Sequence, residues 1–430
     1  MKILHSLALL ALIAPLSAYA GVPLNEGGVI NWRYQDKTSA DKPQAKVAGV
    51  RSNTGEKNQG FTYLNSLRTS ADLIPFSWDN ALETAAQNHA QYLILNNTFG
   101  HSETEGNAGF TGVNPWDRGD AAGYSPWYSY GENLSGGDDT IDESIDGLFT
   151  GIYHRFGFLT LTQDDIGIGI KTDAGYAYHS VYNYDMGNLG STAVTQGQNG
   201  QTILWPPAGF SNAQTSFNNS EAPDPLPECP TYGIAGNPIS IEFNPTYHGT
   251  ATMNSFKLFG PDGGEITNTK IVTQATDPAN HLNDNQFVLF PLTSLSVDSR
   301  YRVEFNYTEA NNVKNLTWHF NTRRYDVKRY EVTDGNTYDV ISGQTYLIHV
   351  KPADCTTVLN AYSWSGNAVI ERLNLDLFRI SVTADTTFTF GSPAQFTFTL
   401  HPAASDNAIA PSVIQQPAVL PPILHLLLGQ

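Results

Sequence analysis

The spacing of the apolar residues changes along the chain, and this change constrains the fold more than any other feature. In the first half, apolar side chains recur at helical intervals, most clearly at Leu82, Ala85, Ala86, His89, Ala90 and Leu93. After residue 229, apolar and polar residues alternate, as they do from Tyr301 to Tyr307, which is the pattern of half-buried strands. The sequence therefore predicts an α+β chain, with a mixed helical unit first and β units behind it.

Seven segments follow from this pattern and from the turn-forming and Pro-rich stretches between the periodic runs. A signal peptide is expected at 1–20 and a flexible arm at 21–57. The unit at 58–188 is expected to hold helices flanking a small sheet. The remaining segments are a linker at 189–228, an immunoglobulin-like β-sandwich at 229–324, a small β domain at 325–402 and a Pro/Ala-rich tail at 403–430.

The first twenty residues have the features of a secretory signal peptide. Lys2 precedes an apolar run from Leu7 to Leu16, and Ala18-Tyr19-Ala20 supplies the small residues of a cleavage site. The run is too short to span a membrane, so we expect a secreted or periplasmic protein without a transmembrane segment. The formal charge of −18 also argues against a nucleic acid partner, because an acidic surface repels phosphates.

The two cysteines, Cys229 and Cys355, are too few for a disulfide scaffold or a Cys-based zinc cluster. In an oxidising compartment they can pair with each other. The sequence alone leaves the paired and the free state open.

Three short motifs carry the residue types of a polar cleft: Gly100-His101-Ser102-Glu103, Gly131-Glu132-Asn133 and Tyr153-His154-Arg155. Two neutral imidazoles and one carboxylate are the ligand types of an open zinc site. His101, Glu132 and His154 are therefore the predicted Zn²⁺ ligands and also the candidate catalytic residues. The competing interpretation is that both histidines only fix loops through hydrogen bonds.

Other polar residues favour structural interpretations. His89 lies on the apolar face of the predicted helix, where a buried, hydrogen-bonded imidazole is expected. Asn133 and Arg155 are expected to orient loops, and His179 either lines the cleft or is an exposed strand residue. A solvated helix start, without the spacing of a known calcium loop, is expected at Asp138, Asp139, Asp142 and Glu143.

Taken in order, these motifs resemble the CAP superfamily (the cysteine-rich secretory, antigen 5 and pathogenesis-related-1 group) in its bacterial SCP-like form. The resemblance covers about a third of the chain and includes Leu64-Asn65-x-x-Arg68, Trp78, Arg118, Gly123-Tyr124 and Ile166-Gly167-Ile168-Gly169. It implies an α-β-α sandwich with an open cleft that often holds two histidines and two acidic residues. His101, Glu132 and His154 match three of the four. The second Glu falls at Gly151, so this carboxylate is missing unless Glu143, two helical turns earlier, replaces it.

The leading functional hypothesis is a secreted CAP-domain protein that binds a small molecule, a lipid or a divalent metal in the His/Glu cleft. The β domains would then act as a spacer or as a surface for an extracellular protein partner. One alternative is an extracellular hydrolase in which a metal or a histidine activates water. Another is an envelope-associated adhesive protein that acts through its immunoglobulin-like part.

Overall fold

The computed structural model describes residues 33–34, 55–359, 361–391 and 394–412. The predicted signal peptide, nearly all of the predicted arm and most of the predicted tail lie outside these residues. The described chain is α+β, as predicted, with its helices in the amino-terminal half and strands thereafter. None of the described helices combines the length and the apolar character needed to cross a bilayer.

The first unit is a five-stranded sheet with helices on both faces. Its strands have the order β1-β3-β5-β4-β2, and their bounds are β1 Arg33–Tyr34, β2 Ser77–Trp78, β3 Ser129–Gly136, β4 Asp165–Thr172 and β5 Ser180–Asn188. The helices are α1 Gly55–Ser70, α2 Asn80–Leu95, α3 Pro115–Ala122, α4 Ile141–Thr150 and α5 Ile152–Phe158, followed by the short α6 Thr192–Gln198. One apolar cluster joins α1 and α4 to the sheet, and another joins α2 to β3 and β5.

The sequence predicts Asp79 as the N-cap of α2 and a strand over residues 166–170, and residues from both places fix this helix against the sheet. The Asp79 carboxylate accepts hydrogen bonds from the backbone N–H groups of Ala81 and Leu82, at 2.8 and 3.0 Å, as an N-cap should. On β4, a Cβ at Gly167 would lie 1.9 Å from the backbone of Glu83. This glycine therefore allows α2 to lie directly against the sheet, while the alternate residues Ile166 and Ile168 fill the core on the opposite face.

The apolar residues Ile141, Ile145, Leu148 and Ile152 predict one helix over residues 140–153, but the structure breaks it in two at Gly151. Helix α4 ends at Thr150, Gly151 is extended with φ −76° and ψ 128°, and α5 begins at Ile152. The apolar spacing of both pieces is helical, so the pattern gave no sign of the break. Its physical cause is a carboxylate from a distant segment that binds the first N–H groups of α5, as described below.

The second unit is a β-sandwich. One sheet contains β10 Ala251–Phe259, β11 Glu265–Ile266, β14 Arg300–Glu309 and β15 Asn312–Asn321, and the other contains β6 Thr202–Trp205, β9 Ile239–Phe243, β12 Thr269–Thr273 and β13 Gln286–Pro291. A core of aromatic and aliphatic side chains lies between them. A small ribbon pairs β7 Ser216–Phe217 with β8 Ala235–Gly236. Strand β6 differs from expectation, because residues 202–205 fall in the segment predicted to be linker, yet they pair with β9.

A third unit has two further four-stranded sheets around their own core. They consist of β16 Arg329–Val332, β18 Tyr346–Val350, β20 Ala368–Arg372 and β21 Leu377–Val382, and of β17 Asn336–Ile341, β19 Tyr362–Ser365, β22 Thr386–Phe390 and β23 Phe396–Ala403. Cys229 and Cys355 form a disulfide that ties this unit to the segment after β7, which settles the alternative that the sequence left open. The immunoglobulin-like assignment of the second unit stays a prediction.

The first and second units share an apolar interface. Ile203 and Trp205 of β6 belong to the core of the first unit, and the Trp205 ring lies 4.5 Å from that of Phe149, centroid to centroid. Helix α5 contributes Tyr153 and Phe156 to a second cluster that contains side chains of β12 and β13. The outer face of the sheet that contains β6, β9 and β13 therefore packs on the helical layer of the first unit, and α5 lies at the junction.

Candidate functional site

His101 and Glu132, two of the predicted site residues, are in direct contact. His101 lies in the loop after α2, and its Nδ1 lies 2.7 Å from Oε1 of Glu132 on β3. The other oxygen, Oε2, accepts hydrogen bonds from Arg118 Nη2 at 2.7 Å and from Asn183 Nδ2 at 2.9 Å. Arg118 also donates to the backbone oxygen of His101 at 2.9 Å. Both oxygens of Glu132 are therefore occupied by protein donors.

The pKa values of Glu132 and its neighbour Asp185 are shifted in opposite directions. Burial opposes the charge on Glu132, but the Arg118 guanidinium and the adjacent imidazoles hold its pKa well below the usual range. Asp185 lies opposite Glu132 on the adjacent strand β5. Burial and the Glu132 charge raise the pKa of Asp185 well above its usual range. The negative charge is therefore favoured on Glu132 over Asp185, and both side chains are buried.

His89 has the structural role predicted for it. Its side chain is fully buried, with Nδ1 2.9 Å from Glu103 Oε1 and Nε2 2.9 Å from the Gly100 backbone oxygen. Burial and the nearby Arg118 charge lower the pKa of His89. The imidazole therefore ties α2 to the loop that carries His101.

His154 is paired with a carboxylate that the sequence did not identify. Its Nδ1 lies 2.9 Å from Oε1 of Glu221, a residue of the segment expected to be linker. The same carboxylate accepts the backbone N–H groups of Ile152, Tyr153 and His154, at 2.7, 2.7 and 3.0 Å. These are the otherwise unsatisfied donors of the first turn of α5, where an anion is also favoured by the helix dipole.

Glu221 occupies the space next to Gly151, the position at which the family resemblance places the second acidic residue. A Cβ built on Gly151 would lie 2.8 Å from Glu221 Oε1 and 2.9 Å from its carboxyl carbon. A carboxylate is thus present beside His154, but it comes from about 70 residues further along the chain. Glu143, the alternative considered for this role, instead completes the capping box of α4 with Thr140.

All three residues of the Tyr153-His154-Arg155 motif contact the region after the first unit. Tyr153 donates its hydroxyl hydrogen to Asp277, and His154 pairs with Glu221. The Arg155 guanidinium donates to the Pro238 backbone oxygen at 2.7 Å and to Asn237 Oδ1 at 2.9 Å. Arg155 thus orients loops through a carbonyl, as predicted. The motif forms the polar part of the junction.

The side chains of Glu132 and its neighbour Asn133 point to opposite faces of β3. Glu132 points towards α2 and α3, whereas its neighbour Asn133 points the other way and donates to the His154 backbone oxygen at 2.8 Å, because successive strand residues alternate. Asn133 thus bonds to a backbone carbonyl, as predicted, but that carbonyl belongs to α5 and not to a loop. His179 pairs with Asp139 at 3.1 Å on the surface.

Whether His101 and His154 can bind a metal ion depends on which of their ring nitrogens are used in hydrogen bonds. Hydrogen bonds in the described structure use only Nδ1 of the His101 and His154 side chains, which leaves each Nε2 as a donor atom for a metal. The two side chains are only 6% and 10% exposed. Within the described ranges, no group of three or more His, Cys, Asp or Glu side chains is arranged to hold a metal ion. Glu132 fits the role of an outer hydrogen-bond partner better than that of a direct ligand.

Comparisons with known proteins identify the first unit. The model of the CAP family, described as the cysteine-rich secretory protein family, matches residues 61–184. An extracellular protein with an SCP domain from Bacillus anthracis is 20% identical over 31% of this chain and 40% of its own, with a TM-score of 0.26. An outer surface protein from Borrelia burgdorferi is 18% identical over 31% of this chain and 92% of its own, with a TM-score of 0.27. This chain thus spans less than half of the Bacillus protein. No curated protein matches the chain.

Proposed function

We propose that this chain, which carries a CAP domain over residues 61–184, is a secreted binding protein whose cleft takes a small ligand or a divalent metal at His101 and His154. The observation that carries the proposal is that a buried carboxylate fixes Nδ1 of each imidazole. Such a bond selects the tautomer whose Nε2 lone pair is available, which is the arrangement seen around metal-bound histidines. The expected metal is Zn²⁺, which accepts imidazole nitrogen and leaves positions for water or a ligand.

Each side chain has a defined part in this proposal. His101 and His154 would hold the ion through Nε2. Glu132 and Glu221 would orient the rings and strengthen them as ligands, and Arg118 would keep Glu132 ionised. With two protein ligands the ion would be bound weakly and would remain open to an external ligand, which favours binding over a permanent structural role.

The test is isothermal titration of the full chain with Zn²⁺. We expect binding to be lost in the double variant His101→Gln/His154→Gln and to be retained in His179→Gln, a matched control because His179 is also paired with a carboxylate but lies on the surface. Binding that survives the double variant, or no Zn²⁺ binding by the unaltered chain, would contradict the metal proposal.

Separate assays test the hydrolase and adhesive alternatives. Turnover of ester, glycan or peptide substrates that is abolished by both a chelator and Glu132→Gln would favour the hydrolase. Binding to an extracellular protein or surface that survives His101→Gln/His154→Gln would favour the adhesive alternative.

A further inference from the structure

A groove of about 730 Å³ lies where α5 and the turn after it meet the second unit. The first unit contributes Tyr153, Phe156 and Thr160, and the second unit contributes residues of β9 and of the turn before β13. The size is within the range of small-molecule sites, which are common at domain interfaces. Neither His101 nor His154 lines this groove, so it is separate from the cleft discussed above.

The most unusual residue of the groove is Glu242 on β9. It is only 7% exposed, and its Oε1 accepts a hydrogen bond from Gln286 Nε2 at 3.2 Å. The other oxygen, Oε2, is buried and has no hydrogen-bond partner among the described residues. A buried polar atom without a partner is unfavourable, so a ligand group that bonds to this oxygen would remove an existing penalty.

The protonation state of Glu242 determines which ligand groups can bond to its carboxyl group. Burial raises the pKa of Glu242 to about 8, so the carboxyl group is mostly protonated at neutral pH. A protonated carboxyl group can donate one hydrogen bond and accept others. It is therefore suited to a hydroxyl or carbonyl group, whereas a cation would require the ionised form.

The other lining residues favour an uncharged, hydroxyl-rich ligand. Within the described structure, neither Lys nor Arg lines the groove. Besides Glu242, its acidic and basic side chains are His281, His248, which is paired with Glu309, and Asp284, which lies on the exposed rim. Thr160 and Gln286 offer neutral donors and acceptors on the floor, and Asn283 offers them on the exposed rim. Phe156 supplies an aromatic surface for carbon-bound hydrogens. Neutral polar groups beside an aromatic ring match the chemistry of a sugar.

We propose that this groove between the CAP domain and the adjacent β-sandwich is a binding site for a neutral saccharide, with Glu242 and Gln286 bonding its hydroxyl groups and Phe156 packing against its apolar face. Because the groove has walls from both units, the site exists only while the two units are docked. The docking of α5 on the second unit is therefore a requirement for binding.

The experiment is isothermal titration of the full chain with three neutral probes, namely triacetylchitotriose, maltotriose and cellotriose. Spermidine and inorganic phosphate are the charged probes. We expect at least one trisaccharide to bind and neither charged probe to bind. Glu242→Leu should weaken that binding at least about tenfold, which corresponds to the loss of one good hydrogen bond. Glu242→Gln should bind nearly as well as the unaltered chain, because an amide also donates and accepts.

The controls keep the proposal falsifiable. Glu265→Gln alters an exposed carboxylate elsewhere on the second unit and should leave binding unchanged. Should Glu242→Leu fail to fold, Gln286→Ala takes its place, with the same expected weakening. The proposal is overturned if no trisaccharide binds, if binding is unchanged in Glu242→Leu or its replacement, or if spermidine or phosphate binds in this groove instead. His101→Gln leaves the His154–Glu221 contact at the junction intact and should not affect saccharide binding, so this test and the Zn²⁺ test fail independently.

Discussion

Removing the Glu221 carboxylate should destabilise the junction between the first two units. Glu221 accepts three backbone N–H groups of α5 and also pairs with the His154 ring. Loss of an ordinary N-cap costs about 1 kcal/mol, and a buried donor left without an acceptor costs about 1–3 kcal/mol. Because Glu221 is buried and serves three donors, we expect Glu221→Ala to lower the free energy of unfolding by about 3 kcal/mol. Glu221→Gln keeps one acceptor oxygen and should lose about half as much.

Two measurements check this expectation. Urea unfolding gives the free energy, and hydrogen exchange of the Ile152, Tyr153 and His154 amides reports on α5 itself. Glu228→Ala is the matched control, because this glutamate lies in the same segment but forms an exposed pair with Lys270. A loss below about 1 kcal/mol, with unchanged exchange at the three amides, would refute the role assigned to Glu221.

Three further predictions follow from the same contacts. Gly151→Glu should lower the free energy of unfolding by about 2 kcal/mol, because its Cβ would lie 2.8 Å from Glu221 Oε1. In a Glu221→Ala background the same substitution should be much less destabilising. A double-mutant cycle by urea unfolding measures this difference. Burial raises the pKa of Glu242 in the folded state to about 8, against the usual 4.5. The buried carboxyl group therefore lowers the free energy of unfolding by an amount that increases as the pH rises from 4.5 through 8. The free energy of unfolding of Glu242→Gln, relative to the unaltered chain, should thus increase between pH 5 and pH 8.5, and a constant difference would contradict the buried carboxyl group. Reduction of the Cys229–Cys355 disulfide, which spans 126 residues, should lower the free energy of unfolding by about 5 kcal/mol in the chain-entropy model. Urea unfolding with and without reductant measures this loss, and equal urea midpoints under the two conditions would contradict the expectation.

Local patterns predicted those parts of the fold that depend on local interactions. The apolar spacing and the Asp79 cap identified α2 because a helix face and its cap lie within a few residues of each other. The Gly167-x-Gly169 run was correctly assigned to a strand, and its glycines fit the close approach of α2. Alternation from Tyr301 to Tyr307 also located the long strand β14. In each case the information lies in the segment itself.

The parts that were missed depend on contacts between distant segments. Neither Glu221 nor Asp185 stood out in the sequence, because each matters through a partner in another element. Asp185 shares a face of β5 with Asn183, two residues earlier, and this alternation of buried polar residues was the available signal. Glu221 gave no such signal. Its role, the break at Gly151 and the pairing of β6 all follow from how the second unit docks.

The Tyr153-His154-Arg155 motif connects the cleft to the rest of the molecule. Each of its side chains bonds to a different part of the segment 221–277, so the motif can be satisfied only when the second unit is in place. His154 therefore cannot be altered as a cleft residue alone, since its ring also contacts the carboxylate that starts α5. The segment after β7 supplies the carboxylate beside His154, and the second unit supplies one wall of the adjacent groove. Ligand binding at either place is expected to depend on the same interface, and an isolated fragment of residues 58–188 would lack both contributions.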